Sequence, residues 1–172
     1  MDLEKYVRNV PDFPKPGVQF KDITTLWKQN TAFRESIDIL YERYKDRNIH
    51  KVLGAESRGF IVASPLAYLL NAGFVPVRKK GKLPYRQVEV TYDLEYGTDT
   101  LCIHEDAINS GENILIVDDL LATGGTVRAM IDLVKQLSGN LTEIAFLVEL
   151  EFLNGRSGID VPVFSIIKYS EE

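Results

Sequence analysis

Residues 113–138 constrain this chain more than any other stretch, reading NILIVDDLLATGGTVRAMIDLVKQLS. Ile114, Leu115, Ile116 and Val117 form an aliphatic run without polar alternation, the pattern of a parallel strand covered on both faces. The run stops at two adjacent carboxylates, Asp118 and Asp119. A loop of small residues follows, containing Ala122, Thr123, Gly124, Gly125 and Thr126, and then Val127, Met130, Ile131, Val134 and Leu137 recur at a helical period. The layout is strand, acidic end, small polar loop and helix.

That layout limits the chemistry. Without a Cβ, Gly124 and Gly125 let a ligand reach the backbone, and successive N–H groups entering a helix form an anion cradle assisted by the helix dipole. Thr123 and Thr126 add hydroxyls and a candidate N-cap. A phosphate suits the loop. Asp118 and Asp119 would repel it, so they are expected to face ligand hydroxyls or a divalent cation. A sugar phosphate satisfies both ends. Taken alone, the motif also admits an ordinary βα loop with two solvated aspartates.

Elsewhere, Leu3, Tyr6, Val7 and Val10 predict a short amphipathic helix over residues 1–10, ended by Pro11. Three prolines and a glycine in residues 11–17 predict a stiff ordered loop. Phe33, Ile37, Leu40, Tyr41 and Tyr44 mark a helix over residues 31–45, with Thr31 as candidate cap. A buried strand over 52–55 ends at Glu56, Ser57, Arg58 and Gly59, before an apolar helix over 60–69. Ligands of open α/β sheets sit beyond such strand ends, so a second anion cradle is expected there.

A strand at 75–77 leads into Arg78, Lys79, Lys80, Lys82 and Arg86, five cations within nine residues. This run reads as a solvated face or, next to two anion cradles, as a sink for a diphosphate. Val88, Val90 and Tyr92 alternate with Gln87, Glu89, Thr91 and Asp93, predicting a half-exposed strand or hairpin arm with Glu95, Tyr96 and Gly97 at its far end. Beside an anionic site such an arm is a plain surface hairpin or a lid that excludes water. Further strands at 101–104 and 144–148 and an edge strand at 161–167 give repeated strand–helix alternation. The expected fold is α/β, a mostly parallel central sheet flanked by helices, in one domain over residues 1–172.

Net charge is −5, which argues against general nucleic-acid binding. The lone Cys102 excludes a disulfide framework and a cysteine-rich zinc site. His50 and His104 are read as surface or packing residues. No apolar run is long enough to span a bilayer, and residues 1–30 lack the pattern of a signal peptide, so a cytoplasmic location and no membrane partner are expected.

VDDLLATGGT over 117–126 resembles the phosphoribosyl-pyrophosphate motif of the type I phosphoribosyltransferases. The segments VPDFPKPGVQFKDIT (10–24, with Val10 where the family has Phe), ESRGF (56–60), RKKGKLP (78–84), LEYG (94–97) and LVEL (147–150) resemble the adenine phosphoribosyltransferase family in order and spacing. The resemblance covers nearly the whole chain. It implies the type I phosphoribosyltransferase fold, with a small hood from residues 1–30 and the C-terminal part and a flexible hairpin lid over 82–100.

It further implies transfer of a 5-phosphoribosyl group from phosphoribosyl pyrophosphate to adenine, giving AMP and pyrophosphate, in a homodimer. Ala122, Thr123, Gly124, Gly125 and Thr126 would hold the 5-phosphate, and Asp118 and Asp119 the ribose hydroxyls. Glu56, Ser57, Lys79, Lys82 and Tyr96 would bind the co-substrate, with Arg58 near both diphosphate and base. Glu95 would be the acid–base group at the purine, and Val18, Gln19 and Phe20 would read the base edge. Mg²⁺ is expected mainly through substrate oxygens and water, without dedicated protein ligands. Glu56 stands where the family often has aspartate. Transfer to xanthine, hypoxanthine or guanine, or a non-catalytic phosphoribosyl-pyrophosphate-binding regulator, are the competing readings.

Overall fold

The computed structural model describes residues 1–93 and 97–171; the expectations for Glu95 and Tyr96 fall outside them. Strands β3 (Lys51–Ala55), β4 (Gly73–Lys79), β7 (Asn113–Leu121), β8 (Asn140–Leu150) and β9 (Val163–Tyr169) form the parallel part of a seven-stranded sheet. The hairpin β5 (Gln87–Asp93) and β6 (Thr98–His104) joins it antiparallel, giving the order β5-β6-β4-β3-β7-β8-β9. In the parallel part the chain starts at β3, moves outward to β4, and then returns to the other side of β3 at β7. The strand order therefore reverses between β3 and β7, and a ligand crevice forms at such a reversal.

The continuous apolar runs in β3, β7 and β8 arise because both faces are covered. Val52, Leu115, Val117 and Leu147 pack with α2 (Asn30–Tyr44) and α3 (Arg58–Leu69). Leu53, Ile114, Ile116 and Phe146 meet Val127, Met130, Leu133 and Val134 of α4 (Gly125–Gln136). Burying each such side chain contributes about 1.5–3 kcal/mol. The period-two pattern of β5 also holds, since Val88, Val90 and Tyr92 lie against the α4 side of the core while Glu89, Thr91 and Asp93 are exposed.

Three local expectations are corrected. Residues 1–10 form a 3-10 turn, Leu3–Tyr6, and then strand β1 (Arg8–Pro11), paired antiparallel with β2 (Gln19–Asp22). Leu3 still enters the core, but from Arg8 onward pairing with β2 wins over the helical spacing, tied by the Arg8–Asp22 ion pair. Thr31 is not the cap of α2, which begins at Asn30; the Thr31 N–H instead donates to Asn30 Oδ1 at 2.8 Å. Strand β7 does not end at the acidic pair but continues to Leu121, because β8 offers partners that far, with Asp118 opposite Phe146 and Leu120 opposite Val148. A short helix α1 (Thr24–Trp27) precedes α2. Among the described residues no helix is long and apolar enough to cross a membrane.

Candidate active site

A cavity of about 440 Å³ opens at the β3/β7 reversal, lined by Ala55 at the end of β3, by Glu56, Ser57 and Arg58 leading into α3, and by residues 118–127 from β7 into α4, with Phe146 at its side. Two stretches 60 residues apart in sequence thus share one crevice. They do so because β3 and β7 pair side by side in parallel, and the first turn of α3 lies against β7: a Cβ on Gly59 would stand 2.5 Å from Asp118 Oδ1. The Glu56–Ser57 peptide is cis.

The acidic pair sits deep in this crevice. Asp119 is 3% exposed, while Asp118 keeps part of its surface open. Asp118 Oδ1 accepts the Asp119 N–H at 2.9 Å. Burial pushes both carboxyls above the ordinary carboxylate range, Asp118 well above it, where the charge of Asp119 adds to the effect. Arg58 opposes this at Asp119, its Nε standing 2.9 Å from Oδ2. That approach is off the N–H axis, and Asp119 Oδ2 is buried without a hydrogen bond. A carboxylate oxygen with an ion pair but no hydrogen bond keeps acceptor capacity that a ligand hydroxyl or a cation would fill.

The cradle is built on one left-handed residue. Gly124 has φ of +84° at the N-cap of α4, and neither Thr123 nor Thr126 caps the helix. A Cβ on Gly124 would stand 2.2 Å from the Gly155 carbonyl oxygen, and one on Gly155 would stand 2.2 Å from that of Ala122. Two glycines therefore let the loop and the 154–158 turn touch backbone to backbone. Gly125 opens α4, and a Cβ there would lie 3.3 Å from the Tyr92 ring, so the end of β5 borders the cradle.

The other expected site residues are less converged. Glu56 lines the cavity, but its carboxylate accepts from the Lys79 N–H (2.7 Å) and from Arg78 Nε (2.9 Å). Lys79 pairs through Nζ with Asp99 at 3.0 Å, and Lys82 lies in the exposed turn after β4; neither lines the cavity. The basic run is thus largely neutralised in place, with Lys80 on Glu89 and Arg86 near Glu105. Val18, Gln19 and Phe20 also do not line it. They belong to the β1–β2 hairpin, where the Val18 carbonyl accepts from Phe13 N–H, Phe20 packs edge-on against Phe13 at 5.1 Å, and Gln19 Oε1 accepts from Asn9. Lys21 Nζ sits 4.6 Å from the Tyr169 ring centre, docking the hairpin on the end of β9.

The sequence reading missed Arg128, Gly155 and Phe146. Arg128 could have been noticed as a cation in the first turn of a helix, the end that favours anions. No local signal marks the other two, which reach the site through the sheet and the turn after β8.

The family model for the phosphoribosyl transferase domain matches residues 22–170. An adenine phosphoribosyltransferase of Acidobacterium capsulatum is 61% identical over 98% of this chain and 94% of its own length. The crystal structure of adenine phosphoribosyltransferase from Thermoanaerobacter pseudethanolicus superposes with a TM-score of 0.93 at 48% identity, covering 98% of each chain. That of Saccharomyces cerevisiae, complexed with an imino-altritol bisphosphate and adenine, gives 0.91 at 42% identity over 96% of each. With its crevice at the β3/β7 reversal, its acidic pair and its glycine cradle, this chain belongs to the phosphoribosyl transferase domain family, among the adenine phosphoribosyltransferases.

Proposed function

We propose that the chain transfers the 5-phosphoribosyl group from phosphoribosyl pyrophosphate to adenine, releasing AMP and pyrophosphate. The observation that carries this is one crevice holding an anion cradle and, beside it, a buried carboxylate pair, one oxygen of which has an ion pair but no hydrogen bond. The backbone of Thr123, Gly124, Gly125 and Thr126 binds the 5-phosphate at the start of α4. Asp118 and Asp119 accept from the ribose hydroxyls, which fixes the sugar for attack by the purine nitrogen on the face opposite the leaving group. Ser57 and Arg58 stand at the diphosphate and base side. No covalent enzyme nucleophile is needed.

Among the described residues no group of three or more His, Cys, Asp or Glu is placed to hold a metal. Mg²⁺ would be held mainly by substrate oxygens and water; the carboxylates that line the crevice and could accept from its waters are Glu56, Asp118 and Asp119. When bound, the ion supplies positive charge to the departing diphosphate. Lys79 and Lys82 reach the diphosphate after Lys79 leaves Asp99. Glu95 is assigned the acid–base role at the purine and Tyr96 a place beside the co-substrate, by family resemblance alone.

The docking of β2 on Tyr169 supports a hood made from residues 1–30 and the C-terminal part, in which Val18, Gln19 and Phe20 read the base. The β5–β6 hairpin beside the cradle supports a lid over 82–100. The assignments extend to a homodimer, by resemblance to the family, and a cytoplasmic location. Sedimentation that found a fully active monomer would remove the dimer. The base assignment is tested by assaying adenine, hypoxanthine, guanine and xanthine separately with phosphoribosyl pyrophosphate and Mg²⁺. Adenine is expected to turn over at least about a hundredfold faster, since each reversed base-edge bond costs roughly 1–3 kcal/mol. Comparable turnover of an oxopurine would overturn it.

A further inference from the structure

We propose that Arg128 is a positioning residue for the phosphate cradle, acting on it from behind. It does not line the cavity. Its guanidinium instead reaches back along α4, with Nη2 donating to the Thr123 carbonyl at 2.7 Å and Nη1 to the carbonyls of Gly155 (3.3 Å) and Ser157 (3.2 Å). One planar fork thereby joins the first residue of the TGGT loop to the turn after β8. The join lies where the backbones interlock through Gly124 and Gly155, so it sets the distance between them.

Two consequences follow. With the Thr123 carbonyl turned to Arg128, the peptide plane after it is fixed, and so is the direction of the Gly124 N–H that opens the cradle. Moreover, all three partners of Arg128 are neutral carbonyls, and among the described residues no carboxylate pairs with it. Its charge stays unneutralised within a turn of the cradle, at the helix end where the dipole already favours an anion. This differs from the basic run after β4, where Arg78, Lys79 and Lys80 each have an acidic partner. Lysine would keep the charge but not the fork.

The inference rests on the assignment of the TGGT loop to the 5-phosphate, and the test separates the two. Ribose 5-phosphate and inorganic pyrophosphate are titrated calorimetrically into the wild-type chain, R128K, R128M and G125V, with thermal midpoints recorded for each. R128M should bind ribose 5-phosphate about tenfold or more weakly, as expected when charge-assisted bonds are removed. Pyrophosphate affinity should stay within about twofold of wild type, and R128K should fall between. In turnover, KM for phosphoribosyl pyrophosphate should rise while KM for adenine holds. Should R128M fail to fold, R128K alone carries the comparison. An unchanged ribose 5-phosphate affinity in both variants, or equal losses for both ligands, overturns the role of Arg128. If G125V weakens ribose 5-phosphate and R128M does not, only this inference falls. If G125V also has no effect, the cradle assignment falls with it.

Discussion

Replacing Gly59 by alanine should separate stability from catalysis in this crevice. Gly59 lies in the first turn of α3, and a Cβ built there stands 2.5 Å from Asp118 Oδ1 and 3.3 Å from its Cγ. Ordinary contact begins near 3.4 Å, so the carboxylate must withdraw by about 0.9 Å. Because the obstacle is a side-chain end, it can swing away. The swing costs the hydrogen bond from the Asp119 N–H, about 0.5–1.5 kcal/mol net. Alanine returns about 1 kcal/mol of helix propensity. Global stability should therefore change by less than about 2 kcal/mol, within the range of mild overpacking. If Asp118 orients the sugar as proposed, catalysis should suffer more, because a displacement of about 1 Å in such a group costs on the order of a hundredfold, or roughly 2.7 kcal/mol of barrier. Steady-state pyrophosphate release gives kcat/KM, and urea unfolding gives stability. A folded Gly59→Ala protein with kcat/KM within about threefold of wild type would refute the placement of Asp118 at the reacting sugar.

Three other perturbations test the electrostatics and the loop. The folded-state pKa of Asp118 is raised above 3.8, so the protein binds more protons than the unfolded chain and loses stability as pH rises from 3.8 through the folded value. Asp118→Asn should therefore melt higher than wild type at pH 7.5, with the gap closing near pH 4 and activity reduced; an unchanged or lower melting point at pH 7.5 would contradict it. Asp22 behaves oppositely: the Thr24 hydroxyl and then Arg8 hold its carboxyl down to about 2, so its contribution is present above 3.8 and is lost as pH falls towards 2. Asp22→Asn should flatten that acid limb in a pH series of thermal melts, and an unaltered limb would exclude Asp22 as its source. Gly124→Ala combines a left-handed φ with a Cβ 2.2 Å from the Gly155 oxygen, and should cost about 3 kcal/mol or more in urea unfolding.

The part of the fold that could be read directly was the part governed by burial on both faces. Ile114 to Val117 admits no wet side, α4 repeats its apolar residues on one face, and β5 alternates, so each pattern specified its element without knowledge of its neighbours. The acidic pair and the TGGT loop were legible for a related reason. Carboxylates in a buried strand and glycines just after it are costly unless a ligand or a close backbone contact uses them, and the Gly124–Gly155 approach is such a contact.

Where apolar spacing fits two periods, neighbours decide. Leu3, Tyr6, Val7 and Val10 satisfy a helix, yet residues 8–11 form a strand because residues 19–22 offer a ladder of hydrogen bonds that a lone short helix cannot match. Asp118 and Asp119 looked like a strand terminus, but β8 pairs beyond them and holds them inside the sheet. The basic run after β4 looked like free charge, and only folding brings Glu56, Glu89 and Asp99 against it. Arg128 took its role only when the turn after β8 came up beneath the loop. The buried strands, the α/β class and the family motifs were legible in the sequence by itself because they depend on residue type and local period. The tertiary structure alone decided which charges meet, where strands end and what braces the cradle, because those depend on groups distant in the chain.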